Sequence, residues 1–174
     1  MKRLSTALLC VVVIVAVSIP AASTALAAEM EYVHDGVQYI RYINTRYGFS
    51  IPYPSELLVP QPPPGNNDGR EFYSHDKRAQ MGAWGTYNVM EETLAERFAA
   101  EKSDPDRTVT LDVMKDDWFV ISGYIDGRIF YMRTYLVEDI FYTFYIVYDQ
   151  DLSDMFDPIT AHISGEFRIP GMIQ

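Results

Sequence analysis

One cysteine, three histidines and two tryptophans are all that 174 residues contain of these types. The single cysteine, Cys10, lies inside the first apolar run. Residues 28–174 therefore carry no thiol, which removes disulfides, thiolate metal sites and cysteine nucleophiles together. His34, His75 and His162 are far apart and lack the short spacing of a metal-ligand set. Basic residues are also sparse, 14 Lys and Arg against 24 Asp and Glu. A chain this acidic is a poor partner for nucleic acid or anionic lipid surfaces. Phosphate-cradling glycine motifs and internal repeats are missing. The longest apolar run, Leu8 to Val17, falls well short of the ~20 residues a transmembrane helix needs.

That run has its own meaning. Lys2 and Arg3 precede it, and a small-residue stretch with Ala25-Leu26-Ala27 follows. This is the order of a secretory signal peptide over residues 1–27, with an uncleaved anchor as the rival reading. A lipid-modified Cys10 fits less well, because Leu9 is not the small residue such sites require and the apolar run continues past it. The expectation is an exported protein, periplasmic or extracellular, with no stable membrane insertion after leader cleavage. Losing Lys2 and Arg3 with the leader takes the net charge from −10 to −12.

Residues 28–43 read as a weakly patterned N-terminal segment that becomes strand-like near `YIRYINT`, and a single domain is expected over 44–170. Phe49, Ile51 and Tyr53 alternate with Ser50 and Pro52, the period of a half-buried strand. Pro52 has no N–H, so this strand should pair on one side only. Next, `VPQPPPGNNDG` can form only a loop. Strands are expected near 70–75 and 79–87, with Gly82 and Gly85 marking a bulge or a close backbone approach. A helix over 91–102 carries the stripe Leu94, Ala95, Phe98 and Ala99, with Asn88 and Glu91 as its capping pair.

From 108 to 149 the pattern is a four-strand antiparallel meander, jointed at 115–117, Asp126-Gly127 and Glu138-Asp139. In the last strand Phe141, Thr143, Tyr145 and Val147 face one way, and Tyr142, Phe144, Ile146 and Tyr148 the other. Both faces are apolar or aromatic, which predicts a central strand covered on both sides. The second cover is a helix over about 152–164 that Pro158 either starts or kinks. The fold class is α+β: a mainly antiparallel β-sheet flanked by helices, an α/β/α sandwich.

Catalytic constellations do not assemble along this chain. Ser74-His75-Asp76 would alternate across a strand and cannot converge as a triad. Ser122 sits in `VISGY`, not in a nucleophile elbow. Asp116-Asp117 and Glu138-Asp139 lie at turns, where water holds carboxylates to ordinary behaviour. Asn66-Asn67-Asp68 and Asp104/Asp106 offer oxygens without the terminal glutamate of a calcium loop. Neither catalytic residues nor a cofactor is expected, and a metal site is left open.

The order `YGFSIPYPSEL`, an `NNDG` loop, a strand hairpin, a helix, `DWFVISGYIDGRIFY` and a last amphipathic helix resembles the PsbP-like superfamily. The resemblance spans about 44–168 and is similar to small secreted bacterial members. It implies an antiparallel sheet between helices. It also implies docking or assembly in place of catalysis, since the better-known members are extrinsic subunits of the oxygen-evolving photosystem and a yeast factor that binds the Ran GTPase. No family binding motif maps onto a position here. The expected function is a non-enzymatic interaction or accessory module at the bacterial envelope, with an envelope protein as partner. The candidate interaction loop is Pro62, Pro63, Pro64, Asn66, Asn67 and Asp68, because rigid scaffolds place function on loops. The alternative is an extracytoplasmic receptor for a cation or small ligand, which would need a pocket between sheet and helix.

Overall fold

Rings on both faces of residues 140–149 organise the molecule, because such a strand is stable only when covered twice. The computed structural model describes residues 31–172. The leader reading for 1–27, with Cys10, lies outside the described residues. Ten strands and two α-helices form among the described residues. They are β1 (Glu31–His34), β2 (Val37–Ile43), β3 (Ser50–Pro54), β4 (Val59–Pro60), β5 (Gly69–Tyr73) and β6 (Ala79–Tyr87), followed by α1 (Leu94–Lys102). The meander β7 (Arg107–Met114), β8 (Trp118–Ile125), β9 (Arg128–Val137) and β10 (Ile140–Asp149) comes next, and α2 (Ser153–Gly165) closes the order.

Strands β4-β5-β6-β10-β9-β8-β7 make one seven-stranded antiparallel sheet, and β1-β2-β3 make a smaller one. As expected, β10 is central, with β6 on one side and β9 on the other. Its two ring rows go where the alternation sends them. Tyr142, Phe144, Ile146 and Tyr148 join Phe156, Ile159 and Ile163 of α2, Tyr39 and Ile51 of the small sheet and Phe49 just before β3 in one core. Phe141 and Val147 join Leu94 of α1 with Phe119, Ile121, Phe130 and Met132 in a second. Each fully buried ring or branched chain here is worth about 1.5–3 kcal/mol over leaving it exposed. The layers are thus α1, the large sheet, then α2 beside the small sheet, a mostly antiparallel α+β sandwich.

Several local readings change. Residues 31–43 form a β1–β2 hairpin whose second strand pairs with β3, so the segment set apart from the domain shares its sheet and core. Its turn is Asp35-Gly36, both at positive φ. Pro52 sits opposite Arg41 on a strand whose ladder is with β2 alone, its other side making a single bridge from Ser50 to Arg168.

Helix α1 begins at Leu94 with Thr93 as N-cap. Glu96 N donates to Thr93 Oγ1 at 3.2 Å, and Thr93 N donates to Glu96 Oε2 at 2.8 Å. The Asn88/Glu91 cap fails because Glu91 has φ of +55° and cannot begin a helix. Asn88 instead brackets the preceding loop, bonding both the N–H and the C=O of Glu92.

Pro158 lies inside α2, which a 3₁₀ turn at Gln150–Leu152 precedes. Strand β6 has no bulge; its register with β10 runs unbroken from Tyr87 to Ala79. The bulge is in β7, between Val109 and Leu111 on the sheet's outer edge.

Candidate functional site

Helix α1 packs chiefly over β7 and β8. Its Arg97 and Glu101 share a small cleft with Trp84 and Thr86 of β6, and at the β5–β6 end of the sheet the β5 side of Trp84 faces the proline loop instead. Register places Gly69, Glu71 and Tyr73 opposite Trp84, Gly82 and Gln80 there. The proline loop between β4 and β5 borders this end, and together they form a groove of about 570 Å³. Pro62, Pro64 and Asp68 line it with Gly69, Arg70, Glu71 and Trp84.

Trp84 lies low in the groove because two glycines make room for it. A Cβ at Gly82 would fall 2.9 Å from the six-membered part of the indole, at Cζ3. One at Gly69 would fall 2.6 Å from Trp84 Cβ and 2.3 Å from the Ala83 carbonyl oxygen. Gly82 thus accommodates a ring where the sequence reading anticipated a bulge or another backbone. Gly85 likewise faces the Tyr47 ring.

The loop is tied down at its far end. Asn44 is 1% exposed. Its Nδ2 donates to the Asn67 carbonyl at 3.1 Å and to the Tyr42 hydroxyl at 3.0 Å. Its Oδ1 accepts from Arg46 N at 3.0 Å and Tyr47 N at 2.9 Å. Arg46 also donates to the Asn66 carbonyl. The Asp68 carbonyl accepts from Gly85 N at 2.9 Å, and Asn67 N closes a turn onto the Pro64 carbonyl at 2.9 Å. Pro62, Pro63 and Pro64, which cannot donate such bonds, remain exposed. A rigid, apolar rim therefore stands beside an indole face, with Asp68 and Glu71 supplying negative charge and Arg70 one positive charge.

Six positions named from sequence lie together in this loop. Pro62, Pro64 and Asp68 line the groove; Asn66 and Asn67 bind the loop to the β2–β3 turn. Trp84 and Asn44 were not anticipated. Both matter through register and long-range hydrogen bonding, and the only local signals were Gly82 two residues before Trp84 and an Asn at a strand end.

The remaining sequence candidates separate into turn chemistry and packing. Ser74 donates to Asp76 Oδ1 at 2.6 Å and accepts from Ala79 N at 3.0 Å, closing the β5–β6 turn, while His75 is exposed. The Ser74 and Arg78 hydrogen bonds hold the Asp76 carboxyl below its usual value. Ser122 donates to the Phe130 carbonyl at 2.7 Å. Asp116, Glu138 and Asp139 are exposed, and Asp117 is half-buried at its turn. Asn66 Nδ2 donates to Asp68 Oδ2 at 2.7 Å, and Asp106 N donates to Asp104 Oδ1 at 3.0 Å. Among the described residues no group of three or more His, Cys, Asp or Glu side chains is placed to hold a metal ion.

Two histidines are not far apart after all. The β1–β2 hairpin brings His34 onto His162 of α2, rings stacked at 3.9 Å. His162 Nε2 and the Tyr32 hydroxyl share a hydrogen bond of 2.9 Å, and the Tyr39 ring lies 4.7 Å away. Burial, then the neighbouring His34, pushes the His162 pKa below its usual value. Burial, then Tyr32 and Asp35, pushes Tyr39 up to about 12.

The arrangement of sheets and helices is that of a PsbP-like fold. The solution structure of cyanobacterial PsbP (CyanoP) from Synechocystis sp. PCC 6803 superposes with a TM-score of 0.56, covering 75% of this chain and 92% of that one at 15% identity. At that identity the likeness establishes the fold. No family model matches the sequence, and no curated protein is detectably similar to it. No helix among the described residues is long and apolar enough to cross a membrane.

Proposed function

We propose that this protein is an exported, non-enzymatic interaction module of the bacterial envelope that docks a partner protein in the groove between Pro62–Pro64 and Trp84. The observation that carries this reading is the pairing of a half-buried indole with a stiff proline rim at the β5–β6 end of the sheet, away from the strands on which α1 chiefly packs. An indole in a preformed groove is the kind of anchor on which binding energy concentrates. Asp68 and Glu71 outnumber Arg70 at the groove, and on a chain of net charge −10 they favour a partner that presents an apolar side chain flanked by basic residues. The leader-like N-terminus and the docking roles implied by the family resemblance support the same reading.

Cross-linking in cells, followed by capture of this protein, tests it with three variants: deletion of 62–66, Trp84→Ala, and Met155→Ala on exposed α2 surface as control. The docking reading expects a partner that is lost with the first two and kept with the third. Loss of an indole anchor should weaken the complex roughly thirtyfold or more. Unchanged partners for both groove variants would remove the groove from consideration.

A further inference from the structure

A second cavity, of about 300 Å³, lies between the sheet and α2, on the face opposite α1. Its walls include Ser122, Tyr124, Tyr131, Tyr148, Asp157 and Thr160, and no basic side chain lines it. Register builds it: Tyr124, Ile129 and Tyr148 are consecutive cross-strand neighbours, and Ser122 pairs with Tyr131 one row away. Three tyrosines therefore surround one carboxylate from the helix.

The protons of Ser122 and Tyr148 are already committed. Ser122 Oγ donates its only proton to the Phe130 carbonyl at 2.7 Å, and the Tyr148 hydroxyl donates its own to Asp157 Oδ1 at 2.5 Å. The Tyr131 hydroxyl is paired with Ser164 Oγ at 2.7 Å, and that oxygen also accepts from Arg133 Nη1 at 3.2 Å. Thr160 is 5% exposed, and its hydroxyl is covered with no partner in hydrogen-bond geometry. Lone pairs on Ser122 and Tyr148 and the second oxygen of exposed Asp157 remain open to a ligand. All of these accept. Burial, reinforced by Asp157, raises the Tyr148 pKa and keeps it a phenol. Ring faces add negative potential of their own.

Open acceptors on Ser122 and Tyr148, ring faces and one carboxylate suit a ligand that brings N–H donors and a positive charge. A neutral polyol would leave the Asp157 charge without a counter-charge, and an anion would be repelled by it. We propose that this cavity binds a primary ammonium group on a short aliphatic chain. The ammonium supplies three N–H donors to Asp157, Tyr148 and Ser122, and its methylenes lie against the tyrosine rings. This site is remote from the groove and independent of the docking reading.

Titrating the isotopically labelled protein with 1,4-diaminobutane, while following backbone amide resonances, tests the assignment. The expected result is saturable shifts at Gly123, Tyr124, Tyr131 and Ala161. The neutral isostere 1,4-butanediol should leave them in place. Asp157→Asn, with an otherwise unchanged spectrum, should weaken diamine binding roughly fivefold or more. Lysine capped at both ends separates the two sources of the group. Shifts with both amines support recognition of any accessible lysine-like amine, and shifts with diaminobutane alone support a free-diamine site. Equal shifts with the diol, an unaltered affinity in Asp157→Asn, or shifts confined to other residues would each overturn the proposal.

Discussion

Replacing Asn44 by alanine removes four side-chain hydrogen bonds from one buried position, and their cost can be worked out from where each partner lies. Tyr47 N is buried and has Asn44 Oδ1 as its acceptor at 2.9 Å. Stranding it costs about 1–2 kcal/mol, because water cannot replace the lost acceptor. Arg46 N and the Asn67 carbonyl lie at exposed positions. Each should lose only about 0.5 kcal/mol, since water re-pairs them. The half-buried Tyr42 hydroxyl still donates to the Gly69 carbonyl at 3.3 Å and loses a similar amount. The total is about 3 kcal/mol, equivalent to a melting point lower by roughly 10 °C. Chemical denaturation at neutral pH reads the first quantity and calorimetry the second. Asn44→Asp keeps the acceptor for both backbone amides but loses the donor to Asn67, so it should fall between wild type and alanine. A loss under about 0.5 kcal/mol in Asn44→Ala would refute the idea that this side chain fastens the proline loop to the β2–β3 turn.

Acidification should loosen the junction of the first hairpin with α2. His162 has a lowered folded pKa, so between that value and its ordinary ~6.5 the unfolded chain binds more protons and stability falls as pH falls. His34, Tyr32, Tyr39, Asp35, Glu166 and Arg41 are the titratable and charged groups around it. Denaturation midpoints measured from pH 7.5 down to 5 should decline, and His162→Gln should flatten the decline; equal slopes would refute it. At the β9–β10 turn, Glu138 and Asp139 both hold positive φ without being glycine. Changing the pair to Asn-Gly relieves left-handed backbone strain and should stabilise the fold by about 1 kcal/mol, read as a higher denaturation midpoint. No gain would mean that the turn is held favourably by contacts of its own.

The large sheet was legible because its signals are local and repeat. Two-sided ring alternation over 141–148 and the Asp126-Gly127 turn require no knowledge of distant residues, and both appear as read. The same dipeptide at Asp35-Gly36 is an equally good hairpin signal, yet the flanking segments, with Glu31, His34 and Gln38, dilute the alternation that would have given it weight. The start of α1 was misplaced because two capping patterns overlap, Asn88/Glu91 and Thr93/Glu96, and only backbone angles choose between them. At the groove, composition pointed to the proline loop. Trp84 could not be found that way, because its place depends on Gly69 lying opposite it and Gly82 lying beneath it. The contact of His34 with His162 joins residues from opposite ends of the described chain, and neither position carries a local mark of it.

The irregularity between Val109 and Leu111 also affects how molecules meet one another. Strand β7 ends the large sheet, and Leu111 and Met114 are 51% and 45% exposed. Such a border, if straight, would invite another molecule to zip onto it. The extra residue bends the strand and throws its free amides and carbonyls out of step, so an incoming segment can match only a few residues before the spacing fails. Greasy side chains can stay on this rim without turning each molecule into the seed of a fibril.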